Sequence, residues 1–194
     1  MRYLVVSFLV VILSAFRMPV KIAHNKIAKF AGTTSSMLKN HADSLINHVD
    51  NFAQQFVDYA KTLIGTPYVW GSVNPQVGVD CSGFVNYVSD HFGINVPRTS
   101  LQFTHLGTEV KQTEAKTGDI ILFTGSNPRK HIVGHMGIVT DNPDGNVSFI
   151  HSSSGHKRGV HISELKGYYK TRLVKIIRIF PINQNKILGL ENVS

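Results

Sequence analysis

Hydrophobic residues recur along this chain at two different spacings, and the change between them falls near residue 100. Before that point the spacing is helical. Phe52, Phe56, Val57, Ala60 and Ile64 form an apolar stripe three or four residues apart, which Gly65 and Pro67 end. Phe84, Val85, Val88 and Phe92 form a second stripe, with Gly93 as its stop. A weaker amphipathic pattern covers Ser36–Val49, inside a polar stretch from Met18 to Asn51 that reads as a tether or an outlying helix. One more short helical piece is expected near Thr99–Leu106. Beyond it the pattern becomes strand-like at Asp119–Thr124, Val133–Thr140, Val147–Ser152, Gly159–Ile162 and Leu173–Phe180. Ser126-Asn127-Pro128 and Asn142-Pro143-Asp144-Gly145 carry the turn chemistry between strands. Helices first and antiparallel strands second predict an α+β fold.

The pattern also divides the chain. Residues 1–16 hold an apolar, almost uncharged run, Tyr3 to Phe16, that follows Arg2. The run is too short to span a bilayer comfortably and has the form of a secretory signal, so export to the periplasm, cell wall or medium is expected. Ser14-Ala15-Phe16 is a mediocre cleavage site, which leaves an uncleaved N-terminal anchor open as the one contact with a membrane. Residues 17–51 are the tether or outlying helix, 52–180 the folded domain, and 181–194 a tail. Twenty Lys and Arg against twelve Asp and Glu give a net charge of +8. These cations are spread out and not interleaved with aromatics, which argues against nucleic acid as a partner. An anionic wall or membrane surface, or plain solubility, accounts for them equally well.

Cys81 is the only cysteine among 194 residues. In an exported protein it cannot make an internal disulfide, so it is core filler, an intermolecular link or a nucleophile. Asp80 is placed to cap the helix that follows, which puts Cys81 in the first turn. There the unpaired N–H groups and the positive end of the helix dipole favour a thiolate. A nucleophilic cysteine needs a base, and a third group to orient that base.

Two of the ten histidines lie on strand-like segments facing this helix start: His135, in Val133-Gly134-His135-Met136-Gly137, and His151, in Phe149-Ile150-His151. A five-residue turn at Asp141–Gly145 makes paired positions sum to 286 and sets the two histidines directly opposite each other. A four-residue turn, Asn142–Gly145, would pair His135 with Ser152 and send His151 to the other face. Gly134 and Gly137 beside His135 suggest a place of close approach. His131 and His135, four apart, would converge on a metal only on a helix, and Gly134 argues against one, so no metal is expected. His24, His41, His48, His91, His105, His156 and His161 lack a comparable context, with His156 and His161 held in reserve.

From Phe52 to Phe180 the chain resembles the NlpC family of bacterial cell-wall cysteine peptidases. The matching pieces are Gly65-Thr66-Pro67-Tyr68-Val69-Trp70-Gly71, Asp80-Cys81-Ser82-Gly83-Phe84, Val96-Pro97-Arg98, Gly118-Asp119-Ile120-Ile121-Leu122-Phe123, His135-Met136-Gly137-Ile138-Val139 and Phe149-Ile150-His151, in that order. The resemblance implies a papain-like α+β fold, with N-terminal helices packed on an antiparallel sheet of five to six strands. It implies Cys81 as nucleophile, His135 as general base and then acid, and His151 as the orienting third member.

Tyr68 matches a tyrosine that helps stabilise the oxyanion, beside the backbone N–H of Cys81. Asp80 and Ser82, grouped with Tyr68 around the oxyanion and substrate, are assigned to shaping the helix start, and Asp119 to a turn. No cofactor is implied. The implied substrate is the stem peptide of peptidoglycan, cut between γ-D-glutamate and a diamino acid. An N-acetylmuramoyl-L-alanine amidase or acyltransferase with the same triad, or a non-catalytic wall-binding module, stands as the alternative. Ser72, where a second glycine is common, and Asn74-Pro75-Gln76-Val77 before Cys81 predict an altered cleft rim.

Overall fold

The computed structural model describes residues 20–125, 127–155 and 157–180, with side chains from Ser36 onward except that of Pro128. The expected signal segment, the tail from residue 181 and His156 lie outside the described residues. The chain divides into two units, 1–47 and 48–194. Helix α1, Val20–Thr62, contributes residues to both. The two helical patterns read separately in the sequence are thus one helix. No glycine or proline stands between residues 33 and 64, so nothing interrupts it. Among the described residues no helix is long and apolar enough to cross a membrane.

In the second unit, Phe56, Val57 and Ala60 of α1 are buried in one cluster with residues of helix α2, Cys81–His91, and of the sheet, and Ala53 is buried beside Gly118. Phe56 meets Phe92 and Phe180 at ring-centroid distances of 5.5 and 5.1 Å. Helix α2 starts where the sequence places it: Asp80 is its N-cap and accepts a 2.6 Å hydrogen bond from the Gly83 N–H. Its buried face is Phe84, Val85 and Val88.

Six strands follow: β1 (Thr108–Val110), β2 (Ile120–Thr124), β3 (Val133–Asp141), β4 (Ser148–Ser153), β5 (Gly159–Glu164) and β6 (Leu173–Arg178). A short helix, α3 (Gly167–Lys170), leads into β6. All pairings are antiparallel, in the order β1-β6-β2-β3-β4-β5. Strands β2 to β5 form a meander, but β6 returns to the far side of β2 and the three-residue β1 adds to its edge. The Thr99–Leu106 piece is a 3-10 turn at Gln102–His105.

The central strands of the sheet are buried on both faces. Ile120 and Leu122 point to the helices with Met136, Ile138 and Ile150. Ile121 and Phe123 point the other way, with Val139, Phe149 and Ile176. This period-two split of a wholly apolar strand separates two clusters, a larger one holding Cys81 and a smaller one beneath α3.

The β3–β4 register differs from the expected one. Ile138 pairs with Ile150 and Val139 with Phe149, so positions sum to 288, and a bulge precedes Asp141–Ser148. Continued by one residue, Gly137 faces His151, and His135 lies diagonally from it. The connection is longer than the five residues expected: a 3-10 turn at Pro143–Gly145 continues through Asn146 and the buried Val147. Asn142 holds its start, donating from Nδ2 to the carbonyls of Gln112 and Ala115 at 2.8 and 3.0 Å. A shift of two positions preserves the side of the sheet, so both imidazoles share one face.

Candidate active site

The segment before the nucleophile is tied down at several points. Gly65 donates to the Val160 carbonyl and Val160 to that of Thr66, at 2.9 and 2.8 Å, which fastens the start of the segment to β5. Val79 donates to Pro67 O at 2.9 Å and Asp80 to Ser72 O at 3.0 Å. Ser152 of β4 donates from Oγ to the Val79 carbonyl at 2.7 Å. Gly83 is required here because a Cβ would lie 2.1 Å from the Ser72 carbonyl oxygen. The departure at Ser72 therefore sits against the nucleophile helix itself.

Asp80 and Ser82 are buried and engaged by Arg98, a residue in the matching pieces to which the sequence assigned no role. Arg98 donates to both Asp80 carboxylate oxygens at 3.1 and 2.7 Å and to Ser82 Oγ at 2.9 Å. Ser82 Oγ donates to Asp80 Oδ1 at 3.1 Å. Burial alone would raise the Asp80 pKa, but the bonds from Arg98, Gly83 and Ser82 hold it below its ordinary value. Neither Asp80 nor Ser82 borders the cleft, so both act on the helix start and make no wall for substrate. Asp119 is likewise structural: buried, it accepts two bonds from Arg178 and one from the Lys116 N–H.

A cleft of about 850 Å³ opens over this region, and Cys81, His135, Tyr68, Trp70 and His161 line it. His135 Nε2 lies 2.9 Å from His151 Nδ1, with the rings edge to face. His151 is fully buried, and its Nε2 lies 3.0 Å from Ser163 Oγ and 3.4 Å from Tyr169 Oη. One consistent proton order runs through the chain: His135 Nε2–H donates to His151 Nδ1, and His151 Nε2–H donates to Ser163 Oγ. His135 Nδ1 is then the unprotonated nitrogen, available to accept from a thiol. Gly137 and Gly134 do allow close approach, but of the protein's own backbone. A Cβ at Gly137 would lie 2.8 Å from Ile150 O and 3.0 Å from His151 Cβ, and one at Gly134 2.5 Å from Gly125 Cα.

Electrostatics overturn one expectation. Burial, and then the Asp80 charge, push the Cys81 thiol up to about 11, against the pull of backbone hydrogen bonds from Ser82, Met136 and Cys81 itself. The helix start does not yield a thiolate at rest, because a first-turn position is worth less than the solvation the sulfur loses. Burial, followed by the charge of Arg172, lowers His135 to about 4. Burial, followed by His135 and His161, lowers His151 further. All three groups therefore rest neutral.

Tyr68 is buried at the cleft wall, its pKa raised by burial and by its neighbours Cys81 and Asp80, and held back by Arg158 and a hydrogen bond with Ser154. The His161 ring lies 4.5 Å from that of His151, centroid to centroid and tilted by 57°, but its Nδ1 is taken up at 3.0 Å from its own strand's Gly159 O. Ser163, Tyr169, Arg98 and Arg172 were missed by sequence reasoning; only Arg98, inside a matching piece, carried a signal.

The model of the NlpC/P60 family matches residues 65–178, more than half of the chain. Over 130 residues the chain is 36% identical to the "Bifunctional muramidase/DL-endopeptidase CwlT" of Bacillus subtilis, a match covering 66% of this chain and 37% of that protein. It is 38% identical over 124 residues to the "Gamma-DL-glutamyl hydrolase" of the same organism, covering 63% of this chain and 28% of that one. The chain thus spans about a third of the length of these relatives. Among solved structures, an NlpC/P60 family protein from Bacillus cereus superposes with a TM-score of 0.59 at 28% identity, covering 66% of this chain and 40% of that one. The NlpC/p60 domain of the peptidoglycan hydrolase SagA gives 0.51 at 28% identity, covering 63% and 95%.

Proposed function

This chain belongs to the NlpC/P60 family, and from that membership we propose that it is a cysteine endopeptidase of peptidoglycan stem peptides, cutting between γ-D-glutamate and a diamino acid through a thioester on Cys81. The observation that carries the reading is the 2.9 Å contact of His135 with His151, in a cleft that Cys81 also lines. The names of the Bacillus subtilis relatives, a DL-endopeptidase and a γ-DL-glutamyl hydrolase, support the choice of bond.

Because the thiol rests protonated, attack and proton transfer go together. The Cys81 proton passes to His135 Nδ1 while Sγ adds to the amide carbonyl. The resulting oxyanion takes hydrogen bonds from the Cys81 backbone N–H and the Tyr68 hydroxyl. His135 returns its proton to the leaving nitrogen, the C–N bond breaks and an amine departs. Water then adds to the thioester, giving a proton to His135, and collapse frees the acid and restores the thiol. His151 and Ser163 keep His135 in one tautomer throughout. Among the described residues no carboxylate pairs with His135 or His151, so the His151 imidazole, not an anion, supports the imidazolium. Such a substrate lies outside the cytoplasm, so export belongs to this reading.

Mass spectrometry of muropeptides after digestion tests the bond. The expected products are disaccharide–L-alanyl-γ-D-glutamate and a peptide beginning with the diamino acid. Sugar freed of its whole peptide would make the enzyme an amidase and refute the proposed cut.

A further inference from the structure

Arg172 stands at the mouth of the same cleft, half-buried, in the last turn before β6. Its Nε donates to Thr124 Oγ1 at 3.3 Å, one terminal nitrogen to the Thr124 carbonyl at 3.2 Å, and the other to the Tyr168 hydroxyl. The guanidinium carbon lies 4.7 Å over the centre of the Tyr168 ring. Three of its five N–H donors are therefore spent on holding it still. One remains on each terminal nitrogen, free to donate to a carboxylate.

Among the described residues no carboxylate pairs with Arg172, whereas Arg98 and Arg178 each hold an aspartate. The described cleft lining contains Lys157, Arg172 and two histidines, and neither Asp nor Glu. A cation fixed by neutral partners and facing a cavity without an anion is built to receive one.

Its position says which part of a peptide it meets. Thr124 adjoins Phe123, the residue that pairs with His135 across β2 and β3, and Arg172 is the foremost charge felt by His135. Arg158 acts instead on Tyr68, at the oxyanion wall. His135 hands its proton to the departing amine, so the residue that leaves with that amine passes Arg172.

We propose that Arg172 binds the side-chain carboxylate of the residue immediately after the scissile bond, so that the enzyme selects a diamino dicarboxylic acid there over lysine. The inference rests on the proposed function and narrows its substrate. It has a second consequence. A bound carboxylate cancels the positive charge that depresses His135, so the matching substrate strengthens its own general base.

The test compares L-Ala-γ-D-Glu-X-D-Ala peptides, in which the α-carboxyl of X is tied up in an amide bond, with X as meso-diaminopimelate, the same residue amidated on its side-chain carboxylate, or lysine. We expect kcat/KM for the free dicarboxylate to exceed that for the amide and for lysine by about tenfold or more. In Arg172→Gln this ratio should fall to within about twofold of one, and Arg172→Lys should retain part of it. Each preparation supplies its own reference, and the wild-type comparison of acid with amide stands even where a variant fails to fold. Equal cleavage of all three peptides by the wild type, or an unchanged ratio in Arg172→Gln, would overturn the inference and leave the proposed function standing. Failure to cleave any of the three would remove the proposed function itself.

Discussion

Burying a thiol and one imidazole at the cleft wall, with a second imidazole sealed behind them, keeps all three uncharged, and that sets how the site responds to pH. Activity requires His135 unprotonated, and its pKa is lowered to about 4. The acid limb of kcat/KM should therefore fall near pH 4, not near the 6.5 of an unperturbed imidazole. Alkylation of Cys81 by iodoacetamide should keep rising toward pH 11, following the raised thiol pKa. A labelling plateau below about pH 7 would show a resting thiolate and contradict this picture. At this scale the sequence was informative where chemistry is tied to local context. Cys81 follows a capping aspartate, and both histidines sit in strands. Ser163 and Tyr169 were invisible, because they reach His151 from 12 and 18 residues away and no spacing rule marks a lone serine or tyrosine.

The helix start and the hairpin succeed as elements for different reasons. Helix α2 was legible because Asp80, the apolar stripe and Gly93 all lie within a dozen or so residues of one another. The hairpin register was not, since the turn length depends on Asn142 being held by Gln112 and Ala115, some thirty residues earlier. The conclusion about the histidines survived because an error of two residues is invisible to strand alternation. At Gly137 strand β4 comes so close to β3 that a methyl group would press on Ile150 O and His151 Cβ. Gly137→Ala should destabilise the protein by about 1–3 kcal/mol in urea unfolding and depress activity further by displacing His151. A variant as stable and active as the wild type would mean that β4 does not approach β3 this closely.

At the scale of the whole molecule, the antiparallel sheet and its helical cover were readable from the change in spacing, whereas its order was not. Nothing local in Leu173–Arg178 reveals that β6 lies between β1 and β2 and not beyond β5. The folding unit also exceeds the family match, which covers residues 65–178. Phe56, Val57 and Ala60 are wholly buried ahead of it, and Ile179 and Phe180 nearly so behind. A fragment of residues 65–178 should not fold, since losing even one such aromatic costs about 3–5 kcal/mol against a total stability of about 5–15. A cooperative thermal transition in that fragment would show that α1 is dispensable to the core.

The whole reading turns on one sulfur and one imidazole, and cleavage of L-Ala-γ-D-Glu-meso-diaminopimelate by purified wild type, Cys81→Ala, His135→Ala and His151→Ala proteins of matched circular dichroism tests both at once. Cys81→Ala should have no measurable turnover, His135→Ala should fall by about 10³-fold or more, and His151→Ala by clearly less, because water can partly replace an orienting group. Turnover by Cys81→Ala at a rate comparable to the wild type would refute the mechanism outright.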